Sequence, residues 1–226
     1  MLEAGHRSSP DADVALAVLC ETYWFPLYSF ARRRGYASHD AMDRTQSFFE
    51  RMLEKDYLQA ADQKKGRFRS FLLTMFKRFL SKELDREQAL KRGGNRKVLS
   101  YDVDEAEARY RLEPADQQTP EHVFERRWAL VLLDRVLGNL EQDYRTRHKG
   151  DLFDACAVYL TGSTGAPSYS TVADSLGMTE GALKVAVHRL RQRYRELLKQ
   201  EVAQTLGSDD DVDDELSALL SAVRAR

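Results

Sequence analysis

The stretch YSTVADSLGMTEGALKVAVHRLR, residues 169–191, decides the fold. Ser170–Leu176 reads as a short helix with Val172, Ala173 and Leu176 turned inward. Gly177 permits a tight turn, because glycine tolerates positive φ. Thr179 is placed to cap the helix that follows. That helix would bury Leu183, Val187, Leu190, Tyr194, Leu197 and Leu198. Its outer face carries Lys184, His188, Arg191 and Arg195, spaced i, i+4, i+7, i+11. A helix fits the DNA major groove, where side chains near its N-terminus reach base edges. Lys184, Arg189, Arg191, Arg193 and Arg195 would neutralise phosphates. The plainer alternative is a helical hairpin with an ordinary basic surface.

Outward from this stretch, helical spacing continues through most of the chain. Leu16, Leu19, Cys20, Tyr23, Trp24, Leu27, Tyr28 and Phe30 give the first segment a wide apolar face. Pro26 is expected to kink or break it, and Gly35 to end it. A second helix is expected over about 40–55. Its apolar face is Ala41, Thr45, Phe48, Phe49, Met52 and Leu53, and its polar stripe is Asp43, Gln46, Ser47, Glu50 and Glu54. After a loop at 59–66, Phe68, Phe71, Leu72, Met75, Phe76, Phe79, Leu80 and Leu84 repeat at helical spacing. Thr74, Lys77, Arg78, Ser81 and Lys82 back them. Aromatic rings beside cations suit single-stranded nucleic acid, although most of these phenylalanines read as core.

Gly93-Gly94, Pro114 and Pro120 punctuate a charged stretch that reads as a linker. Helices resume near Glu121 and again over about 151–160. No segment alternates like a strand. The expected fold is all-α: two small helical domains joined by an acidic linker. The boundaries are 12–92, a linker at 93–120, 121–206 with the helix-turn-helix at about 169–195, and a tail at 207–226.

The chain has 226 residues, 42% hydrophobic and 31% charged, with a formal net charge of −1. That balance hides blocks of opposite sign. Gln63–Lys97 holds twelve basic and three acidic residues, a net +9. Tyr101–Glu125 holds eight acidic and two basic, a net −6. Such alternation suggests polyanion-binding modules joined by an acidic linker. No apolar run reaches the roughly 18–20 residues of a membrane span. The N-terminus lacks the pattern of a secretory signal. Two cysteines, Cys20 and Cys156, make neither a disulfide framework nor a four-thiolate zinc site. A cytoplasmic, reducing compartment is the expectation.

Three segments in order resemble the extracytoplasmic-function subfamily of bacterial sigma-70 family RNA polymerase sigma factors. DAMDRTQSFFE (40–50) resembles the "DAEDLVQETF" motif of region 2.2. FRSFLLTMFKRFLSKELDR (68–86) resembles the region 2.3–2.4 helix, usually of the form "FRAWLYRIARNLALDHLRR". GALKVAVHRLRQR (181–193) stands where region 4 has "GTVKSRLHRARRR". The resemblance covers about residues 12–204.

It implies an alternative sigma factor that binds core RNA polymerase and directs promoter recognition and opening. Asp40, Asp43, Gln46 and Glu50 would face the clamp helices of the β′ subunit. Lys64, Lys65, Arg67 and Phe68 would capture an unstacked base of the −10 element. Lys77, Arg78, Lys82 and Arg86 would line the opened strand. Lys184, His188 and Arg191, with phosphate contacts from Arg189 and Arg195, would read the −35 element, and the same domain would touch the β flap. The acidic linker would thread the RNA exit path. The resemblance implies no cofactor and no metal, and names an anti-sigma factor or a Ser/Thr kinase as further partners.

Several positions depart from the pattern. Met42 replaces the usual glutamate, and Thr45 adjoins that surface, where a phosphate would supply about −1.5 to −2 of charge. Arg78 and Lys82 replace the usual asparagine and aspartate. Val185 and Ala186 replace a Ser-Arg pair, and apolar groups there suit thymine methyls. The tail from Ser208 reads as a capped, acidic helix start followed by Leu216, Leu219, Leu220 and Val223. It would either pack on region 4 or fold back onto a basic surface and restrain DNA binding.

Enzyme signatures are lacking. The five histidines, His6, His39, His122, His148 and His188, are scattered without HExxH spacing. The main alternative is a stand-alone helix-turn-helix regulator that ignores core polymerase. A non-DNA adaptor is a third reading.

Overall fold

The computed structural model describes residues 10–54, 67–89, 103–111, 118–160, 165–207 and 211–224. Among them are nine helices and no strand: α1 Pro10–Arg33, α2 Ser38–Glu54, α3 Phe68–Ala89, α4 Val103–Arg111, α5 Pro120–Thr146, α6 Gly150–Ala157, α7 Tyr169–Ser175, α8 Glu180–Ala203 and α9 Val212–Arg224. The all-α class is as expected. No helix among the described residues is long and apolar enough to cross a membrane.

The chain divides into two compact units, 1–131 with 202–226, and 132–201. This differs from the expected division in two ways. The boundary falls inside α5 rather than before it, and the tail, set apart in that division, groups with the first unit.

The first unit is organised around α1. Pro26 does not break this helix. An interior proline removes one backbone hydrogen bond and costs about 3 kcal/mol. Leu19, Cys20, Tyr23, Trp24, Phe25, Leu27, Tyr28, Phe30 and Ala31 are all buried. Each large apolar side chain among them contributes roughly 1.5–3 kcal/mol on burial, so packing outweighs the proline. A helix apolar on nearly every side is a core helix. Its end is as read: Gly35, at φ 95°, lets Tyr36 N–H reach the Ala31 carbonyl (3.3 Å) and Gly35 N–H the Arg32 carbonyl (3.0 Å).

Around α1 lie Ala41, Phe48, Phe49 and Met52 of α2, and Leu72, Leu73, Phe76, Phe79 and Leu80 of α3. Phe76 is the hub, edge-on to Phe48 at 5.1 Å and to Phe30 at 6.0 Å. Such aromatic pairs add about 0.5–1.5 kcal/mol beyond their buried area. Phe76 and Phe79 are therefore core rings, as most of the α3 phenylalanines were expected to be, while Phe68 stays half-buried.

Part of the stretch expected to be linker is the helix α4. Its Glu107 accepts from Arg32 Nε (3.0 Å), Arg32 Nη2 (2.8 Å) and the Tyr28 hydroxyl (2.9 Å). Burial alone would raise the Glu107 carboxyl. The hydrogen bonds from Arg32 and Tyr28 outweigh it and hold the group below its ordinary range.

The second unit packs Leu140, Phe153, Cys156, Tyr159, Val172, Ala173, Leu183, Val187 and Leu190 into one core. Both cysteines are free and buried. Burial, with the Glu21 charge, pushes the Cys20 thiol up to about 11.

Candidate nucleic-acid interface

The α7–α8 pair is built by local chemistry that the sequence displays. Ser168 caps α7 by accepting from Thr171 N–H (3.2 Å). Gly177, at φ 64°, closes the turn: Met178 N–H reaches the Ala173 carbonyl (3.0 Å) and Gly177 N–H the Asp174 carbonyl (3.2 Å). Thr179 then caps α8 by accepting from Ala182 N–H (3.2 Å). Leu183, Val187, Leu190 and Leu198 are buried, with Tyr194 and Leu197 half-buried beside them.

The other face of α8 is solvent-facing and basic. Lys184, His188, Arg189 and Arg195 are exposed. Lys184 is paired with Glu180 one turn earlier (2.7 Å), which holds its amine above the ordinary lysine range. Arg191 differs in what it does. Its Nη2 and Nε donate to the Tyr159 carbonyl at 2.8 and 3.3 Å, so the guanidinium fastens the end of α6. Arg193 is engaged with Asp143 and Glu196. Val185 is 50% exposed, whereas Ala186 packs on the core. Of that apolar pair, only Val185 is presented outward.

In the first unit, Arg78 and Lys82 are exposed on α3. Lys77 is bound to Glu121 of α5 (2.6 Å), and that hydrogen bond holds the Glu121 carboxyl low. Arg67 is bound to Glu215 of α9 (2.8 Å). Phe68 rests edge-on against Tyr23 at 5.5 Å. Lys64 and Lys65 lie outside the described residues, as does the side chain of Arg86.

The α2 stripe is only partly outward. Asp40 and Asp43 are exposed and Glu50 half-buried. Gln46 is buried and donates to Glu50 Oε1 at 3.3 Å. Asp40, Asp43, Arg44, Ser47, Phe79 and Glu83 line an open depression of about 150 Å³. Glu83 is paired with Arg51 (3.0 Å), and the exposed carboxylates Asp40 and Asp43 suit a cationic side chain from a partner. Among the described residues, no three His, Cys, Asp or Glu side chains gather as a metal would need. Thr45, whose hydroxyl donates to the Ala41 carbonyl (2.7 Å), is fully buried. A kinase needs that hydroxyl in solvent, and this fold does not present it.

Sequence reading passed over one cluster. Arg69 is 5% exposed and lies 4.8 Å over the Trp128 ring. It is ion-paired with Glu125 of α5 and with Glu215 of α9. Arginine one residue past a phenylalanine at a helix start was the only local signal, and its partners are distant in sequence. Burial, reinforced by the Glu215 charge, raises the Glu125 carboxyl despite Arg69. No family model, curated protein or solved structure matches the chain.

Proposed function

We propose that the chain is an alternative sigma factor: it binds core RNA polymerase through α2 and recognises promoter DNA through α3 and through α7–α8. The observation that carries this reading is the capped, glycine-turned α7–α8 pair with an exposed row of Lys184, Val185, His188, Arg189 and Arg195 on its second helix. Cations there suit phosphates, and an apolar group suits a thymine methyl. The acidic depression on α2 supplies what a basic partner surface would need. Exposed Arg78 and Lys82 further along α3 suit the phosphates of an opened strand. Activity in this reading is binding and strand capture without covalent chemistry.

A second reading, a stand-alone duplex-binding regulator, is favoured by one observation. Arg67 and Lys77 are already paired with carboxylates of the same chain. Binding to purified bacterial core RNA polymerase separates the two. Association that Asp43→Arg weakens at least tenfold supports the sigma reading. Duplex binding with no core association supports the regulator.

A further inference from the structure

Glu215 is fully buried, and arginines take both its oxygens. Arg69 Nε donates to Oε1 at 2.7 Å, and Arg69 Nη2 to Oε2 at 2.9 Å. Arg67 Nε reaches Oε2 at 2.8 Å. A fork of guanidinium donors around two anionic oxygens is also the geometry that holds a phosphate. The surroundings fit a nucleotide. Phe68 N–H, at the start of α3, is directed at the Thr205 carbonyl (3.1 Å), and the half-buried Phe68 ring lies alongside. Anions are favoured at helix N-termini, and bases stack on aromatic rings. Each of these groups is at present occupied by the chain itself.

The receptor has other anchors within the first unit, whereas the occupant is held chiefly through Glu215. Arg69 stays fixed by Glu125 and by the Trp128 ring whether or not Glu215 is present. The helix α9 has 13 residues, a length at which isolated helices are marginal in water. Of its side chains only Glu215 and Leu219 are buried, and Leu220 is 42% exposed. Asp211, Asp213 and Asp214 precede Glu215, so the occupying segment is itself a short polyanion.

We propose that Arg67 and Arg69 form a phosphate site for single-stranded DNA, and that α9, through Glu215, is the chain's own competitor for it. This rests on the reading of the first unit as strand-binding. Release of α9 would free Arg67 and Arg69 from Glu215 beside the half-buried Phe68 ring, and DNA would displace a carboxylate rather than create a site.

The test uses the full chain and a labelled oligodeoxythymidylate of about 12 nucleotides, within the size range of single-strand sites. Glu215→Gln is expected to tighten binding about tenfold. It should also steepen the slope of log affinity against log salt by about 0.7–1.4, for one or two freed cations. Adding Arg67→Ala should remove the gain. Equal binding by the native and Glu215→Gln chains overturns the competitor while leaving strand binding intact. Absence of binding by both overturns the strand-binding reading as well. Should Glu215→Gln fail to fold, hydrogen exchange on the native chain decides. Saturating oligonucleotide is expected to strip protection from α9, and unchanged protection there overturns the proposal.

Discussion

Arg32 of α1 and Glu107 of α4 meet as a two-pronged ion pair, at 3.0 and 2.8 Å, with the Tyr28 hydroxyl as a third donor. The side chains are only 20% and 15% exposed. The contact anchors a helix whose composition, three acidic residues in nine, gives little apolar reason to dock. Among the described side chains of α4, only Ala106 is buried as core. Glu107→Gln is therefore expected to destabilise the first unit by about 2–3 kcal/mol, the usual loss when one partner of a mostly buried charged pair is removed. Urea melts of the two proteins would measure it. The pH dependence has a definite sign. The folded carboxyl titrates below its unfolded value, so its stabilisation is full above about pH 4.5 and is lost as pH falls through the folded value. The gap between native and variant should narrow in that acid window and be flat above it.

Thr45→Val is expected to be tolerated within about 1 kcal/mol, since the hydroxyl's bond is a local one to the Ala41 carbonyl one turn earlier. Thr45→Glu is expected to cost at least about 3 kcal/mol, because it puts an unpaired carboxylate into a fully enclosed position. Thermal melts of both variants check this. A well-folded Thr45→Glu chain would show that α2 can turn that side chain outward, as modification by a kinase would require.

The turn ends offer a paired stability test. Gly177 sits at φ 64° and His148 at φ 56°, each closing the C-terminus of a helix. Gly177→Ala is expected to lose about 1 kcal/mol, because a Cβ is strained in the left-handed region. His148→Gly relieves that strain but gives back chain entropy, for a net gain of about 0.5 kcal/mol. Thr179→Ala, which removes the α8 cap, should lose about 1 kcal/mol. Denaturant midpoints at constant slope give all three.

On α8 the arginines separate by role. Arg189→Ala and Arg195→Ala are expected to leave stability within about 0.5 kcal/mol. Each should shallow the salt dependence of duplex binding by about 0.9. Arg191→Ala instead removes the two bonds to the Tyr159 carbonyl. It should lower the melting temperature of the second unit before it alters the salt slope. Binding isotherms across a salt series, beside calorimetry, distinguish the two patterns.

Much of this was legible beforehand, for physical reasons that differ by element. The helices α2, α3 and α8 show a strong apolar repeat near 3.6 residues, and α7–α8 carry their caps and turn glycine in the local sequence. Continuity of α1 through Pro26 was not legible. It depends on neighbours that bury Tyr23, Trp24, Leu27 and Tyr28 on one face and Phe25 and Phe30 beyond it. The order of α4 was hidden because a charged nonapeptide looks solvated until Arg32 is beside it. Among the candidate site residues, exposure of Asp40, Asp43, Arg78, Lys82, His188 and Arg189 follows from helical phase alone. The engagement of Arg67, Lys77 and Arg191 does not. Each is paired by a group far along the chain or by a backbone carbonyl, and no local pattern announces either.

The first unit is discontinuous, closed by residues 202–226, and this has a consequence for synthesis. Arg69 and Glu215 are 146 residues apart. At about 5–20 residues per second, on the order of 7–30 s pass between their emergence from the ribosome. The second unit, a continuous segment, can complete its contacts in that interval. During the same interval the nascent chain presents Arg67, Phe68 and Arg69 without their C-terminal partner. If α9 is the competitor proposed above, a chain whose α9 has not yet emerged would hold polyanions more tightly than one in which it has docked, and translation itself would set how long that state lasts.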